Sequence, residues 1–424
     1  MEKDSNLILL TNTYPYGTGE TFLDDEIKYL AKRFNTIFIF PLYTQSDKSN
    51  SYNIRCVPNN VIIKDPLLKC NHKSKIGLIR NGAFNTSPMG FAIKDFFKDK
   101  VYTNAKRFHI FFNYLLLLRA ILSNKRRLKE IKEISSSTSS NCILYSYWGD
   151  KSALIIPFIK KEINCKCVVR FHGSDIFEEA KGYLPFRRLL YPSIDYAIPI
   201  SNAGKEYIIR KYPDYLPKNI MVFRLGSINP FNVINNIENN ESKPFNIASC
   251  SNLIPLKRVE LIADAIGIIN KSLKIHWTHI GGGPLLNQLK ETCIKNNINA
   301  DFKGILAHNE VLNFYNNNNI DLFLNVSSSE GIPVSIMEAI SFGIPTIATD
   351  VGGTNELFST DTKRFLLPKN LTSSILADAI LKFIAIPNND KEHIHKYVRL
   401  EWEKNWNADK NYTKFVDFLY NINY

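Results

Sequence analysis

No apolar run in this 424-residue chain can cross a bilayer: the longest, Phe108–Leu122, is interrupted by His109, Asn113 and Arg119. It falls short of the roughly 20 residues that a membrane helix needs. The start, Met1 to Asn12, has neither the basic flank nor the cleavage site of a secretory signal, so the sequence reads as cytoplasmic. Cysteine is sparse and scattered. The seven thiols, at 56, 70, 142, 165, 167, 250 and 293, are odd in number and show no zinc-type spacing. That excludes a disulfide framework and fits free thiols in a reducing compartment. The dinucleotide fingerprint GxGxxG is also missing, which argues against a nicotinamide-dependent oxidoreductase.

What is present is a globular composition, 45% apolar and 22% charged, on a length that suggests two domains. Short apolar runs alternate with longer amphipathic ones, the pattern of parallel sheets with helical crossovers. Strands are expected at 6–11, 36–41, 142–147, 167–171, 196–200 and 221–224. A second series is expected at 245–249, 274–280, 300–303, 321–325 and 345–348. Between them lies an Asn-rich stretch without periodicity, read as a linker. The expected organisation is α/β: a Rossmann-like domain over 1–226, a linker over 227–244, a second Rossmann-like domain over 245–390 and a helical tail over 391–424. The aromatic tail (Tyr397, Trp402, Trp406, Tyr412, Phe415, Phe418, Tyr420) suits a cap on the second domain, and its large apolar residues also suit packing across onto the first.

The net charge of +13 is uneven. From Val61 to Glu133 there are 16 Lys and Arg against 5 Asp and Glu, interleaved with aromatics. Such a region suits an anionic membrane surface or an anionic lipid-linked substrate. It carries no nucleic-acid module, and a plain solvated basic face is the bland alternative.

Four strand-to-helix turns carry candidate chemistry. Tyr14-Pro15-Tyr16-Gly17-Thr18-Gly19-Glu20 follows the first strand, where glycines let backbone approach a ligand and a helix N-terminus favours an anion. Arg170-Phe171-His172-Gly173-Ser174-Asp175 puts an imidazole at a strand's carboxyl end, where open α/β sheets bind ligands; Asp175 can start a helix or meet substrate. Asn252 to Arg258 leads into a helix, and Lys257 and Arg258 sit at the end where cations oppose the macrodipole. A bound diphosphate would compensate them. The most specific string is Glu330-Gly331-Ile332-Pro333-Val334-Ser335-Ile336-Met337-Glu338. Pro333 suits a first helical position, which puts Glu338 about 7.5 Å along the axis from the loop residue Glu330. Two carboxylates so spaced can hold different hydroxyls of one elongated ligand, with the amides of Gly331 and Ile332 nearby. Helical phase alone would place Glu338 on a solvated face. Gly281-Gly282-Gly283 and Asp350-Val351-Gly352-Gly353 add glycine turns expected to border the same site.

Together these segments resemble the GT4 family of retaining glycosyltransferases with the GT-B fold, two Rossmann-like domains whose sheets face a central cleft. The resemblance rests on Glu330-x7-Glu338 within EGIPVSIMEAISFGIP, on YPYGTGETF and on FHGSD. It implies that Glu338 binds the ribose of a UDP- or GDP-sugar, Glu330 the donor sugar, and Lys257 the diphosphate with the Gly331 and Ile332 amides. It implies that His172 lies beside the transferred sugar and that Gly17 and Gly19 line the cleft. No metal or other cofactor is expected, and Asp24-Asp25 is not the Asp-x-Asp of metal-dependent transferases. Many members carry Arg where this chain has Asn252, which leaves diphosphate neutralisation to Lys257 and Arg258. The expected acceptor is a glycan, lipid-linked, in bacterial capsule, exopolysaccharide or O-antigen synthesis at the inner membrane face. The alternative is a catalytically impaired member that binds glycan or scaffolds partners.

Overall fold

A computed structural model describes residues 5–17, 19–20, 22–44, 54–68, 85–137, 142–178, 182–231, 244–269 and 273–422. The chain forms two compact units, Met1–Phe223 with Tyr412–Tyr424, and Arg224–Asn411.

In the first unit β1 (Asn6–Thr11), β2 (Ile37–Pro41), β3 (Val61–Ile63), β4 (Cys142–Ser146), β5 (Cys165–Phe171), β6 (Tyr196–Pro199) and β7 (Asn219–Ile220) form one sheet, ordered β3-β2-β1-β4-β5-β6-β7. Every pairing is parallel. A parallel sheet needs cover on both faces, so its central strands are apolar throughout. In β1, Leu7 and Leu9 pack with Ile27 and Leu30 of helix α1 (Leu23–Arg33). Ile8 and Leu10 face the other way, with Phe111, Leu118 and Ile121 of a later helix, Ala105–Ser123.

The chain's last helix, Ala408–Asn421, closes the α1 side: Phe415, Val416 and Leu419 join that core. The part of the aromatic tail from Tyr412 onward thus packs onto the first unit. An ion pair beneath it is wholly enclosed. Arg170 of β5 bonds Glu26 of α1, Tyr145 donates to the same carboxylate at 2.7 Å, and the guanidinium lies 4.3 Å from the Phe415 ring centroid. A charge so deeply buried is tolerable only when paired and hydrogen-bonded, and Phe415 seals it from water.

In the second unit β8 (Phe245–Cys250), β9 (Ile275–Ile280), β10 (Asn299–Gly304), β11 (Leu322–Asn325), β12 (Thr346–Thr349) and β13 (Leu366–Leu367) run in the order β10-β9-β8-β11-β12-β13, again all parallel. The seventh strand of the first sheet lies at Asn219–Ile220 instead of 221–224, and β3 and β13 were not foreseen. These are edge strands of two or three residues, too short to set up a pattern. The expected linker is described to residue 231, and its remainder, 232–243, lies outside the described residues. The tail does not act as one piece: Asn388–Asn405 belongs to the second unit and the stretch from Tyr412 to the first. Where the chain leaves and re-enters, Ser227 N–H donates to Trp406 O at 3.0 Å, and Ala408 N–H returns to Ser227 O at 3.1 Å. A Cβ on Gly226 would stand 2.5 Å from the Ala408 backbone, so the crossing requires glycine there.

Phe415→Ala should lower the first unit's stability by about 3–5 kcal/mol, read as a reduced urea midpoint, because it opens a cavity and wets the ion pair. Phe415→Leu should recover most of the loss. An unchanged midpoint for the alanine variant would show that the terminal helix does not seal the pair.

Candidate active site

In both sheets the strand order reverses beside the first strand, between β1 and β4 and between β8 and β11. Open α/β sheets bind ligands at such points, outside the carboxyl ends of the strands. The candidate residues gather there.

In the first unit the loop after β1 folds around its own acid. Glu20, in the left-handed region at φ 56°, accepts the backbone N–H groups of Asn12, Thr13 and Tyr14 at 3.0, 2.7 and 2.7 Å. Gly17 takes φ 68°, and its carbonyl accepts Arg55 Nε–H at 2.9 Å. Gly19 is exposed, and its carbonyl also accepts from Arg55. Arg55 in turn pairs with Asp24 at 2.7 Å. Glycine is needed at the left-handed Gly17 position, and Arg55 fixes the loop from outside.

His172 follows β5. Its Nε2 lies 2.9 Å from Tyr147 O, and its ring packs against Tyr147 and Trp148 with centroids 4.6 and 4.5 Å away. A carbonyl partner requires a proton on Nε2, so Nδ1 is the lone-pair atom. Burial, aided by the Arg170 charge, pushes the imidazole pKa down to about 3. Asp175 has a different place from the one expected. It is fully buried, neither opens a helix nor faces the surface, and it accepts the amides of His172, Gly173 and Gly149 at 2.7, 3.0 and 2.8 Å. It is a latch that ties the His172 loop to the turn after β4.

In the second unit the stretch after β8 forms a short turn, Pro255–Lys257, with Arg258 left-handed at φ 47° before helix α4 (Glu260–Ile269). Leu256 O accepts both Ser328 N–H and its hydroxyl, at 2.9 and 3.0 Å. This joins the turn to the loop after β11 and brings Lys257 Nζ within 2.5 Å of Glu330 Oε1, across 73 residues of chain. Arg258 does not join them. Its guanidinium donates to Val326 O, Ser327 O, Thr349 Oγ1 and Lys369 O, so it braces the ends of β11 and β12. Four of its five N–H donors go to these partners, where a role beside a diphosphate was expected. Asn252 is exposed.

The Glu330 loop is held by close backbone approach. Gly353 N–H donates to Gly331 O at 2.8 Å, and a Cβ on Gly352, at φ +57°, would lie 1.8 Å from Glu330 O. The Gly281–Gly283 run makes similar approaches to Ser251 O and Leu253 O; it packs the sheet end against backbone. Ile332 is buried. Pro333, expected as the first helical residue, is instead the cap at ψ 110°, and helix α6 begins one residue later (Val334–Ser341). Helix α5 is His308–Asn317. Glu338 is buried, not solvated as its helical phase suggested, and its Oε1 lies 2.9 Å from His308 Nε2. The Cys250 thiol, at the end of β8, is pushed up to about 12, by burial first and then by the Glu338 charge.

Residues 231–401 match the model for glycosyl transferases group 1. The O-antigen biosynthesis glycosyltransferase WbnH of Escherichia coli is 37% identical over 28% of this chain and 32% of its own length. Protein CapJ of Staphylococcus aureus is 25% identical over 71% of this chain and 79% of its own. The crystal structure of Anabaena Alr3699/HepE in complex with UDP and glucose superposes with a TM-score of 0.65 at 14% identity, covering 97% of this chain and 99% of that one. That likeness shows the GT-B fold. The chain spans about a third of the length of the O-antigen relative it matches.

The group 1 segment contains Lys257, Arg258, Asn252 and the whole Glu330–Glu338 string. Sequence reading missed His308, which nothing local marks: it stands 30 residues from Glu338 and pairs with it only because α5 and α6 meet. Glu20 was noticed only as part of its motif. Among the described residues no group of three or more His, Cys, Asp or Glu is placed to hold a metal ion, and no helix is long and apolar enough to cross a membrane.

A histidine whose folded pKa lies below its unfolded value takes up its proton first in the unfolded chain. The stability it contributes is full above pH 6.5 and is lost as pH falls from there toward 3. In the folded protein the His172 ring resonances should not move between pH 5 and 8. A midpoint near 6.5 in an NMR titration would contradict the neutral ring.

Proposed function

We propose that the protein is a retaining glycosyltransferase that moves a sugar from a nucleoside diphosphate sugar to a lipid-linked glycan in bacterial surface polysaccharide synthesis. The observation that carries this is the pairing of Lys257, after β8, with Glu330, after β11, and of His308 with the buried Glu338 of α6, inside the group 1 segment. A relative acting in O-antigen biosynthesis supports the process, and a fold neighbour bound to UDP and glucose supports the donor class. The reaction belongs in the cytoplasm at the inner face of the membrane, where a lipid-linked acceptor would be met.

In this reading the diphosphate draws Lys257 from Glu330, and the ammonium stabilises charge developing on the leaving phosphate, with the Gly331 and Ile332 amides beside it. Glu330, released from the pair, accepts hydroxyls of the donor sugar, and Glu338 accepts the ribose hydroxyls. His172, neutral at working pH, offers Nδ1 to a sugar hydroxyl and is no proton donor. The bond from the anomeric carbon to the phosphate oxygen breaks, the acceptor oxygen bonds to the same face, and the acceptor's proton passes to the leaving phosphate. No metal or other cofactor is required for these steps. The second reading, a glycan-binding member without turnover, is favoured by one observation: with Asn252 uncharged and Arg258 bonded to the ends of β11 and β12, Lys257 is the one cation of this turn paired with Glu330.

A thermal-shift and turnover panel of UDP- and GDP-sugars, with and without EDTA, should find one donor that stabilises the protein regardless of chelator. Glu338→Ala should abolish the shift, and Lys257→Ala should lower kcat about 10²–10³-fold. Binding without turnover would favour the second reading, and inversion at the anomeric carbon by NMR would end the retaining one.

His308 should position Glu338. His308→Ala is expected to weaken nucleoside diphosphate binding about tenfold, on the scale of one lost hydrogen bond to a charged group. His308→Gln, which restores a donor near Nε2, should recover most of it. Equal affinities in calorimetry for wild type and the alanine variant would remove His308 from the site.

A further inference from the structure

The helices Met89–Lys98 (α2) and Ala105–Ser123 (α3) of the first unit carry a surface that the transferase chemistry does not use. Five of the six exposed aromatic rings among the described residues lie between Phe91 and Phe112: Phe91, Phe97, Tyr102, Phe108 and Phe112, exposed by 51, 64, 58, 46 and 38%. Four of them gather around Phe96. The Phe96 ring lies 5.5 Å from Phe97, 6.1 Å from Tyr102 and 6.2 Å from both Phe108 and Phe112. Ile93, 54% exposed, belongs to the same stretch. Exposed apolar groups gathered in this way mark an interaction site.

The charges of the same stretch are sorted by sign. Its two acids turn inward: Asp95 is buried, and Asp99 bonds Arg188 and accepts the Tyr183 hydroxyl at 2.6 Å. Its lysines, Lys94, Lys98, Lys100 and Lys106, are all exposed. The surface is therefore aromatic and cationic with its carboxylates withdrawn. We infer that the α2–α3 face of the first unit docks on an anionic lipid bilayer, the rings seated at headgroup depth and the lysines on the lipid phosphates. Rings with an apolar body suit that depth, and lysines beside them add attraction to anionic lipid. A second copy of the chain fits poorly, since a two-fold contact would set the same lysines against themselves. The inference goes beyond the transferase reading and is measured without donor or acceptor.

Flotation of the purified full-length chain with vesicles tests it. Wild type should float with phosphatidylglycerol-rich vesicles, not with phosphatidylcholine alone, and release at high salt. The triple variant Lys94→Glu, Lys98→Glu, Lys100→Glu should lose on the order of 100-fold in partitioning, at about fivefold or more per lysine. Phe97→Ser, Tyr102→Ser, Phe108→Ser should lose at least tenfold while the net charge stays the same. All six positions are exposed, so folding is spared, and circular dichroism checks it. A control triple in the second unit, Lys290→Glu, Lys295→Glu, Lys303→Glu, should float like wild type. Equal binding to both vesicle types, or equal loss in the control, would overturn the inference. So would a dimer that the serine variant dissolves, in a protein that no vesicle captures.

Discussion

A parallel sheet leaves backbone amides unpaired just beyond the carboxyl ends of its strands, and how those amides are satisfied decides which side chains stay available for chemistry. Unpaired buried donors cost on the order of 1–3 kcal/mol each. In the first unit two acids meet the demand locally. Glu20 takes three consecutive amides after β1, and Asp175 takes three more from the β4 and β5 loops. Carboxylates saturated in this way are architecture. Glu330 and Glu338 are bonded instead to side chains, Lys257 and His308. A side-chain partner can swing away when a ligand arrives; a backbone amide cannot. The same distinction separates the two neighbouring cations, since Lys257 has a carboxylate partner and Arg258 four partners at strand ends.

That distinction was invisible in the sequence, which shows residue types and spacings. The alternation of apolar runs revealed the two-unit α/β plan because long central strands buried on both faces must be apolar. β7 was misplaced by two residues and the short edge strands β3 and β13 escaped, since two or three residues carry no periodicity. Glu330 lies on the loop before α6 and Glu338 within it, as expected, but the solvated position inferred for Glu338 from helical phase did not hold. Helical phase assumes one buried face, whereas α6 is buried from Ile336 through Ser341. Asp175 and Arg258 were read as ligand contacts because charged residues at strand ends usually invite that reading. The burial of Asp175 and the backbone partners of both come from the packing of neighbouring strands, which no local string encodes. His308 went unnoticed for the same reason.

Glycine does at this site what side chains cannot. Gly352 lies against the Glu330 carbonyl and Gly283 against the Leu253 carbonyl, each closer than a Cβ allows. The loops that present Lys257 and Glu330 are thus held by backbone contact from behind. This leaves their side chains to answer only to each other and to a ligand. Pinned loops need less reordering when the ligand binds, and rigid placement is what electrostatic stabilisation of a leaving group demands.

The excess of positive charge divides by the same logic of partnership. Arg170, Arg187 and Arg258 are consumed by carboxylates and carbonyls inside the fold, so their charge does not reach solvent as a patch. The lysines of the α2–α3 face keep theirs because the acids beside them have been drawn inward to Arg188 and Tyr183. Withdrawing Asp99 in this way does two things at once: it anchors α2 to the core and leaves the outer surface with one sign. A neutralised basic face would have kept its acids outside, where lysine and aspartate form exposed pairs of little energetic consequence. The inward turn of both acids is therefore the structural difference between a solvated charge run and a surface shaped for an anionic partner.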